Sequence, residues 1–279
     1  MGDAMMTFQT GAEALDYAPC RYGASRAVFR GPGADVSGGY LVALGGAATF
    51  GKYVADPYPA LLQQATGMPV ANLGAMNAGP DFYLSDPDTL KLAARARLAV
   101  VQLTGADTIS NPYYIVHARR NDRFLAATPA LMTLFPEVDF SEISFTRHLL
   151  SVLSATDPAR FTLVRAVLQA NWIAAMRQLL AHLPLRRVLL WLADAPPPEV
   201  ALGLDRAGGP ALVDRAMLAA LRPATTALVE ASPSPAVKAE GLAHMQFPET
   251  EALQASQLPN PALHREVAVQ LAGVIKSLL

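Results

Sequence analysis

Three sets of residues in this chain could do chemistry. The first is the turn Gly45-Gly46-Ala47-Ala48-Thr49-Phe50-Gly51, which follows the apolar run Tyr40-Leu41-Val42-Ala43-Leu44. Strand, glycine turn and helix in that order is where many α/β enzymes hold a nucleophile or a phosphate. Here only Thr49 carries a reactive side-chain atom. The second set is the five histidines, a residue type that can act as a base. The third is a set of arginines: Arg21, Arg26 and Arg30 near the start, Arg119, Arg120 and Arg123 beside His117, and Arg147 beside His148. Guanidinium groups suit bidentate recognition of carboxylate, phosphate or sulfate. Brought together they would bind an anion; taken singly, each can instead tie to Asp16, Asp35, Asp81, Asp122 or Glu142. Asn77, in Asn77-Ala78-Gly79-Pro80-Asp81, is either a ligand contact or an ordinary turn residue.

Elements must position these groups, and the sequence marks them. Apolar runs at 40–46, 69–74, 98–105, 187–194 and, more weakly, 226–232 read as strands covered on both faces. Helix-period segments lie between them. One runs from Asp56 to Gly67 with Pro57 and Pro59 early; another starts at Asp86 or Asp88; the last begins at Asn260 and Pro261. Alternating strands and helices predict a three-layer, doubly wound α/β fold, with a mainly parallel five-stranded sheet of flavodoxin-like type. Two regions interrupt the alternation. Residues 1–39 form an irregular arm, and residues 108–183 form a mainly helical insertion after the third strand, whose longest helix starts at Asp157 and Pro158. Such an insertion falls near the carboxyl ends of the strands, where open α/β sheets bind ligands. The expectation is one domain over residues 1–279.

Bulk composition excludes several classes. The 279 residues are 52% hydrophobic and 16% charged, with net charge −1, so no broad basic surface for nucleic acid is expected. A lone cysteine, Cys20, rules out an internal disulfide and a cysteine-based zinc site. No apolar run reaches the roughly 18–20 residues of a membrane span, and no leader-like segment opens the sequence, so a cytoplasmic protein is expected. Walker, dinucleotide-fingerprint, zincin and EF-hand motifs are absent, and neither a metal nor a cofactor is expected.

Over residues 44–107 the chain resembles the SGNH, or GDSL-like, esterase and acetylhydrolase superfamily. Gly45, Gly46, Ala47, Thr49 and Gly51 match its first block, Tyr58-Pro59 its following helix, Asn72-Leu73-Gly74 its second block, and Gly105-Ala106-Asp107-Thr108 its third. The resemblance implies an α/β hydrolase scaffold with a pocket at Gly46, Ala47, Gly74, Asn77, Gly105 and Asp107. The departures fall on the chemistry. Ala47 stands where the family has its nucleophilic Ser, and Gly46 where it has Asp. A methyl group cannot attack a carbonyl. Asp107 replaces the oxyanion-binding Asn, and an ionised carboxylate only accepts hydrogen bonds. For the family's Asp-x-x-His, Glu240…His244 is one residue too long, and His264 is the other candidate. Over its whole length the chain is also similar to a bacterial family without assigned activity, on residues 16–32 and 119–125.

Three functions follow. The first is binding of a small acylated, saccharide-like or anionic ligand without ester hydrolysis. The second is acyl or sulfuryl transfer, with an anionic donor on Arg26, Arg30, Arg120 and Arg123, His244 or His264 as base, and Thr49 or Ser110 as nucleophile. The third is a scaffold or homo-oligomer using the apolar stretches 149–153 and 172–183. No nucleic-acid or membrane partner is expected.

Overall fold

The computed structural model describes residues 15–204 and 209–279; residues 1–14 of the arm lie outside the described residues. The central sheet consists of β1 Leu41–Gly45, β2 Val70–Gly74, β3 Leu98–Gln102, β6 Arg187–Leu192 and β7 Ala227–Ala231. Its order is β2-β1-β3-β6-β7, and every pairing is parallel. This is the flavodoxin-like doubly wound arrangement expected from the alternating pattern. Strands β1 and β2 are buried at every position, which explains why they read as continuous apolar runs rather than as alternating ones.

Helices cover both faces. On one side Leu41, Ala43, Leu98, Val100 and Leu190 pack against α2 (Tyr58–Thr66), α9 (Pro235–Glu240) and α11 (Pro261–Leu278). On the other, Val42, Leu44, Val101, Leu189 and Trp191 face α3 (Pro80–Leu84), α4 (Pro87–Ala94), α6 (Thr146–Thr156), α7 (Pro158–Ala181) and α8 (Arg215–Leu221). The remaining helices are short: α1 (Ala47–Phe50), α5 (Pro129–Leu134) and α10 (Ala252–Ala255). Helix starts follow the sequence signals. Asp86, Asp157 and Asn260 each accept hydrogen bonds from first-turn N–H groups with Pro just behind, and Gly67 ends α2 at φ 68°.

The 108–183 region differs from its expectation in two ways. It opens with a hairpin, β4 Tyr114–His117 against β5 Arg120–Ala127, irregular in register at Val116. In addition, α7 packs directly in the core as the crossover between β3 and β6. The apolar stretches offered as an oligomer face are spent inside the chain: Leu149, Leu150, Leu153, Trp172, Met176, Leu179 and Leu180 are all buried. Among the described residues no helix is long and apolar enough to cross a membrane.

Candidate functional site

The chain leaves β1 for one side of the sheet and β3 for the other, so the topological switch lies between these neighbours. A cleft of about 620 Å³ opens at that point, within the range of small-molecule sites. Gly46 and Ala47, at the start of α1, form part of its wall, with Asn77 after β2, and Thr104, Gly105 and Asp107 after β3. The 254–259 segment closes another side through Gln254, Gln257 and Pro259.

The turn after β1 is sealed from the neighbouring strand. Gln102, the last residue of β3, points its Oε1 at the turn. That oxygen accepts from the N–H of Gly46 (3.1 Å), the N–H of Thr49 (3.2 Å) and the hydroxyl of Thr49 (2.7 Å). Thr49 Oγ1 also meets Tyr58 Oη at 2.9 Å, and Thr49 is fully buried. The hydroxyl proposed as a nucleophile is therefore a structural tie, absent from the cleft wall. Ser110, the other hydroxyl considered, accepts the N–H of Val116 and also lies off the cleft.

Gly74 sits behind the turn rather than in the cleft. Its N–H donates to Asn72 Oδ1 at 2.9 Å, and Asn72 Nδ2 donates to the Thr49 carbonyl. A Cβ at position 74 would run into the backbone of Thr49 and Phe50. This Asn-x-Gly segment thus braces α1 against β2.

Neither histidine reaches the cleft. His264 is 1% exposed on α11; its Nδ1 accepts the N–H of Tyr58 at 3.0 Å and its ring stacks on Tyr58. With Nδ1 accepting, the proton sits on Nε2, a buried atom without a hydrogen-bond partner. Burial, reinforced by the nearby Arg30, lowers the His264 pKa to about 3. His244 is exposed in a turn at φ 62° and does not line the cleft.

The arginines divide. Arg30 is buried and donates to the carbonyls of Phe50, Gly51 and Ala55, clamping the end of α1. Arg26 is exposed on the arm, away from the cleft, with its carbonyl accepting from Arg21. Arg120 and Arg123 lie on the exposed edge of β5. Arg123 packs over the Phe145 ring at 5.6 Å, and Phe145 lines the cleft. Arg147 lines the cleft directly.

Two carboxyl groups face the same space. Asp107 is 3% exposed and accepts from Thr146 Oγ1 at 3.1 Å. Burial raises its pKa, opposed by Arg147 and Thr146. Asp122 accepts from Asn77 Nδ2 at 3.1 Å. Burial raises it too, against Arg120, Arg123 and Asn77. The buried Asn121 positions it. Its Oδ1 accepts from the N–H groups of Gly79 and Phe82 and its own N–H donates to the Asn77 carbonyl, docking the hairpin on the start of α3. Lys52 reaches the cleft from the other side, ion-paired with Glu251 at 3.1 Å.

Gly46, Ala47, Asn77, Gly105 and Asp107 thus share one cleft, whereas Thr49, Gly74, His244, His264, Arg26, Arg30, Arg120 and Arg123 are not among the residues that line it. Sequence reasoning passed over Gln102 and Lys52. A polar residue closing the otherwise apolar run Leu98–Gln102 was the available signal for the first. Among the described residues no group of three metal-ligating side chains converges.

A family model described as "Domain of unknown function (DUF6473)" matches residues 5–279. The chain belongs to this family. No curated protein matches this DUF6473 chain. One similar solved structure is a carbohydrate esterase family 2 enzyme with a carbohydrate-binding domain from Corynascus thermopiles (Myceliophthora fergusii). It shows 13% identity and a TM-score of 0.44, over 88% of this chain and 68% of that one. Another is BT4096, a gut microbial diltiazem-metabolizing enzyme, at 13% identity and a TM-score of 0.38, over 84% of this chain and 46% of that one. The DUF6473 chain therefore spans under half the length of the second. At these values neither likeness transfers a residue role.

Proposed function

We propose that this DUF6473 protein binds a small polar ligand in the cleft between the ends of β1 and β3, on an SGNH-like scaffold, and does not hydrolyse esters through a serine. One observation carries this reading. The cleft wall presents the Ala47 methyl at the head of α1, while the hydroxyl of the same turn is tied to Gln102 and Tyr58 behind it. Nucleophilic acyl transfer needs an attacking atom with a base in hydrogen-bond reach. Neither His244 nor His264 lines this wall. What the cleft does offer is recognition: side-chain amides from Asn77, Gln102, Gln254 and Gln257, and hydroxyls from Thr104 and Thr108. Such groups suit a hydroxylated or acylated small molecule.

The test is hydrolysis of p-nitrophenyl acetate. The wild-type protein is expected to match the buffer rate. Vigorous turnover that His244→Ala or His264→Ala abolishes would refute the reading.

A further inference from the structure

One wall of the cleft is built unlike the others. Residues 242–259 run from α9 to α11 by way of the short α10. Gln254, Gln257, Leu258 and Pro259 of this segment line the cleft, yet Ala255 alone within it is buried. The segment leaves and rejoins the body at one point. Asn260 donates from Nδ2 to the carbonyls of Val237 (3.1 Å) and Gly241 (3.0 Å), which pins the two ends side by side. Gly241 stands at φ 52° and ψ −121°, a conformation open to glycine and to few other residues.

Between these ends one patch holds the segment down: Lys52 and Tyr53, just after α1. The Tyr53 carbonyl accepts from the Gln246 N–H at 2.9 Å. The Tyr53 hydroxyl donates to Glu251 and lies 3.3 Å from Gln254 Oε1. Lys52 Nζ pairs with Glu251 at 3.1 Å, and Phe247 meets the Tyr53 ring edge-on at 5.9 Å. Among the described residues, every other hydrogen bond of 242–259 stays within it or reaches one turn back into α9. Tyr53 itself stands at φ 68°, rare for a bulky side chain, so the patch is kept at a backbone cost.

We propose that residues 242–259 are a hinged wall of the cleft, pivoting where Asn260 clamps it to Gly241 and latched shut by Glu251 on Lys52 and Tyr53. A segment with one buried residue and one attachment opens far more readily than the sheet beneath it. Hinged segments of this kind admit and enclose small molecules. Lys52 lines the cleft as well as holding Glu251, so a molecule in the cleft meets the latch itself. Release widens the cleft on the Gln254–Pro259 side and leaves the ends of β1 and β3 in place.

The experiment is double electron–electron resonance between two nitroxide labels on the full chain, without ligand, in a Cys20→Ser background. One label sits at Leu253→Cys, 76% exposed on the segment; the other at Ala118→Cys, exposed at the turn of the hairpin that brings Asp122 to the cleft. The latched protein is expected to give one narrow distance distribution. Glu251→Ala should add a second, longer one. It should also speed hydrogen exchange at the Gln246 amide about ten-fold, the size expected for losing an ion pair and a charged hydrogen bond, with β1, β3 and α11 unchanged. Tyr53→Phe, which keeps the ion pair and the ring contact, should do the same to a smaller extent. A single distribution unmoved by both substitutions overturns the inference, as does a broad one in the latched protein. Exchange that rises equally in the sheet reports general destabilisation and also overturns it. No arm needs a ligand, so failure here leaves the cleft-binding reading standing.

Discussion

Gln102 Oε1 lies 2.7 Å from Thr49 Oγ1 and accepts its hydrogen bond. The side chain that ends β3 thereby fills the turn that follows β1, also accepting from the N–H groups of Gly46 and Thr49. A turn that looks bare in sequence is full in space, from a residue more than fifty positions away.

Removing that acceptor should loosen α1. Gln102→Ala leaves two N–H groups and a hydroxyl without their shared partner, at a cost of about 1–3 kcal/mol. Gln102→Glu keeps an acceptor oxygen and should lose less. Urea unfolding of the three proteins checks the order.

Gly74 is constrained by its neighbours' backbone rather than by the ligand. A Cβ there would stand 2.6 Å from the Thr49 carbonyl carbon, and backbone gives way poorly. Gly74→Ala should cost about 1–3 kcal/mol by thermal melting, whereas Gly46→Ala, whose Cβ would find its nearest atom at 3.7 Å, should cost far less.

His264 makes stability depend on pH. Its folded pKa of about 3 lies below an ordinary value near 6.5. Between these values the unfolded chain takes up a proton that the folded chain refuses. Stability from this group is therefore present above pH 6.5 and is lost as pH falls toward 3, by about 1.4 kcal/mol per pH unit at most. His264→Asn, whose side-chain oxygen can replace Nδ1 as acceptor for Tyr58, should flatten that slope. The readout is the difference between the two unfolding profiles. Asp81, Asp107 and Asp122, raised by burial, contribute with the opposite sign to both proteins.

Introducing a hydroxyl at position 47 should not by itself confer ester chemistry. Ala47→Ser places an Oγ on the cleft wall, but nucleophile and base act as a unit. Its p-nitrophenyl acetate rate should stay within about ten-fold of wild type, since proton transfer by a positioned base supplies on the order of 10²–10⁴-fold.

Most of the sheet was legible because strands such as Leu41–Gly45 and Val70–Gly74 are buried on both faces, and their apolar runs leave no periodicity to misread, whereas the edge strand β7, with Glu230 exposed, reads more weakly. Helix starts at Asp157 and Asn260 were legible because capping is local chemistry. The hairpin was not. The strand Arg120–Ala127 carries Arg120, Asp122 and Arg123, and it is held by Asn121 reaching back to Gly79 and Phe82. The site divided in the same way. Residues at strand ends, Ala47, Asn77 and Asp107, follow from topology. Arg30 and His264 carry groups that could bind or catalyse, yet backbone carbonyls claim the one and the Tyr58 N–H claims the other. Composition does not distinguish a claimed polar group from a free one.

The central claim, a cleft between the ends of β1 and β3 without an acyl-enzyme nucleophile, is tested most directly by intact-protein mass spectrometry after incubation with a fluorophosphonate, which labels activated hydroxyls. The expected result is an unmodified mass. A single stoichiometric adduct on a cleft hydroxyl, Thr104 or Thr108, or on Thr49 would contradict it.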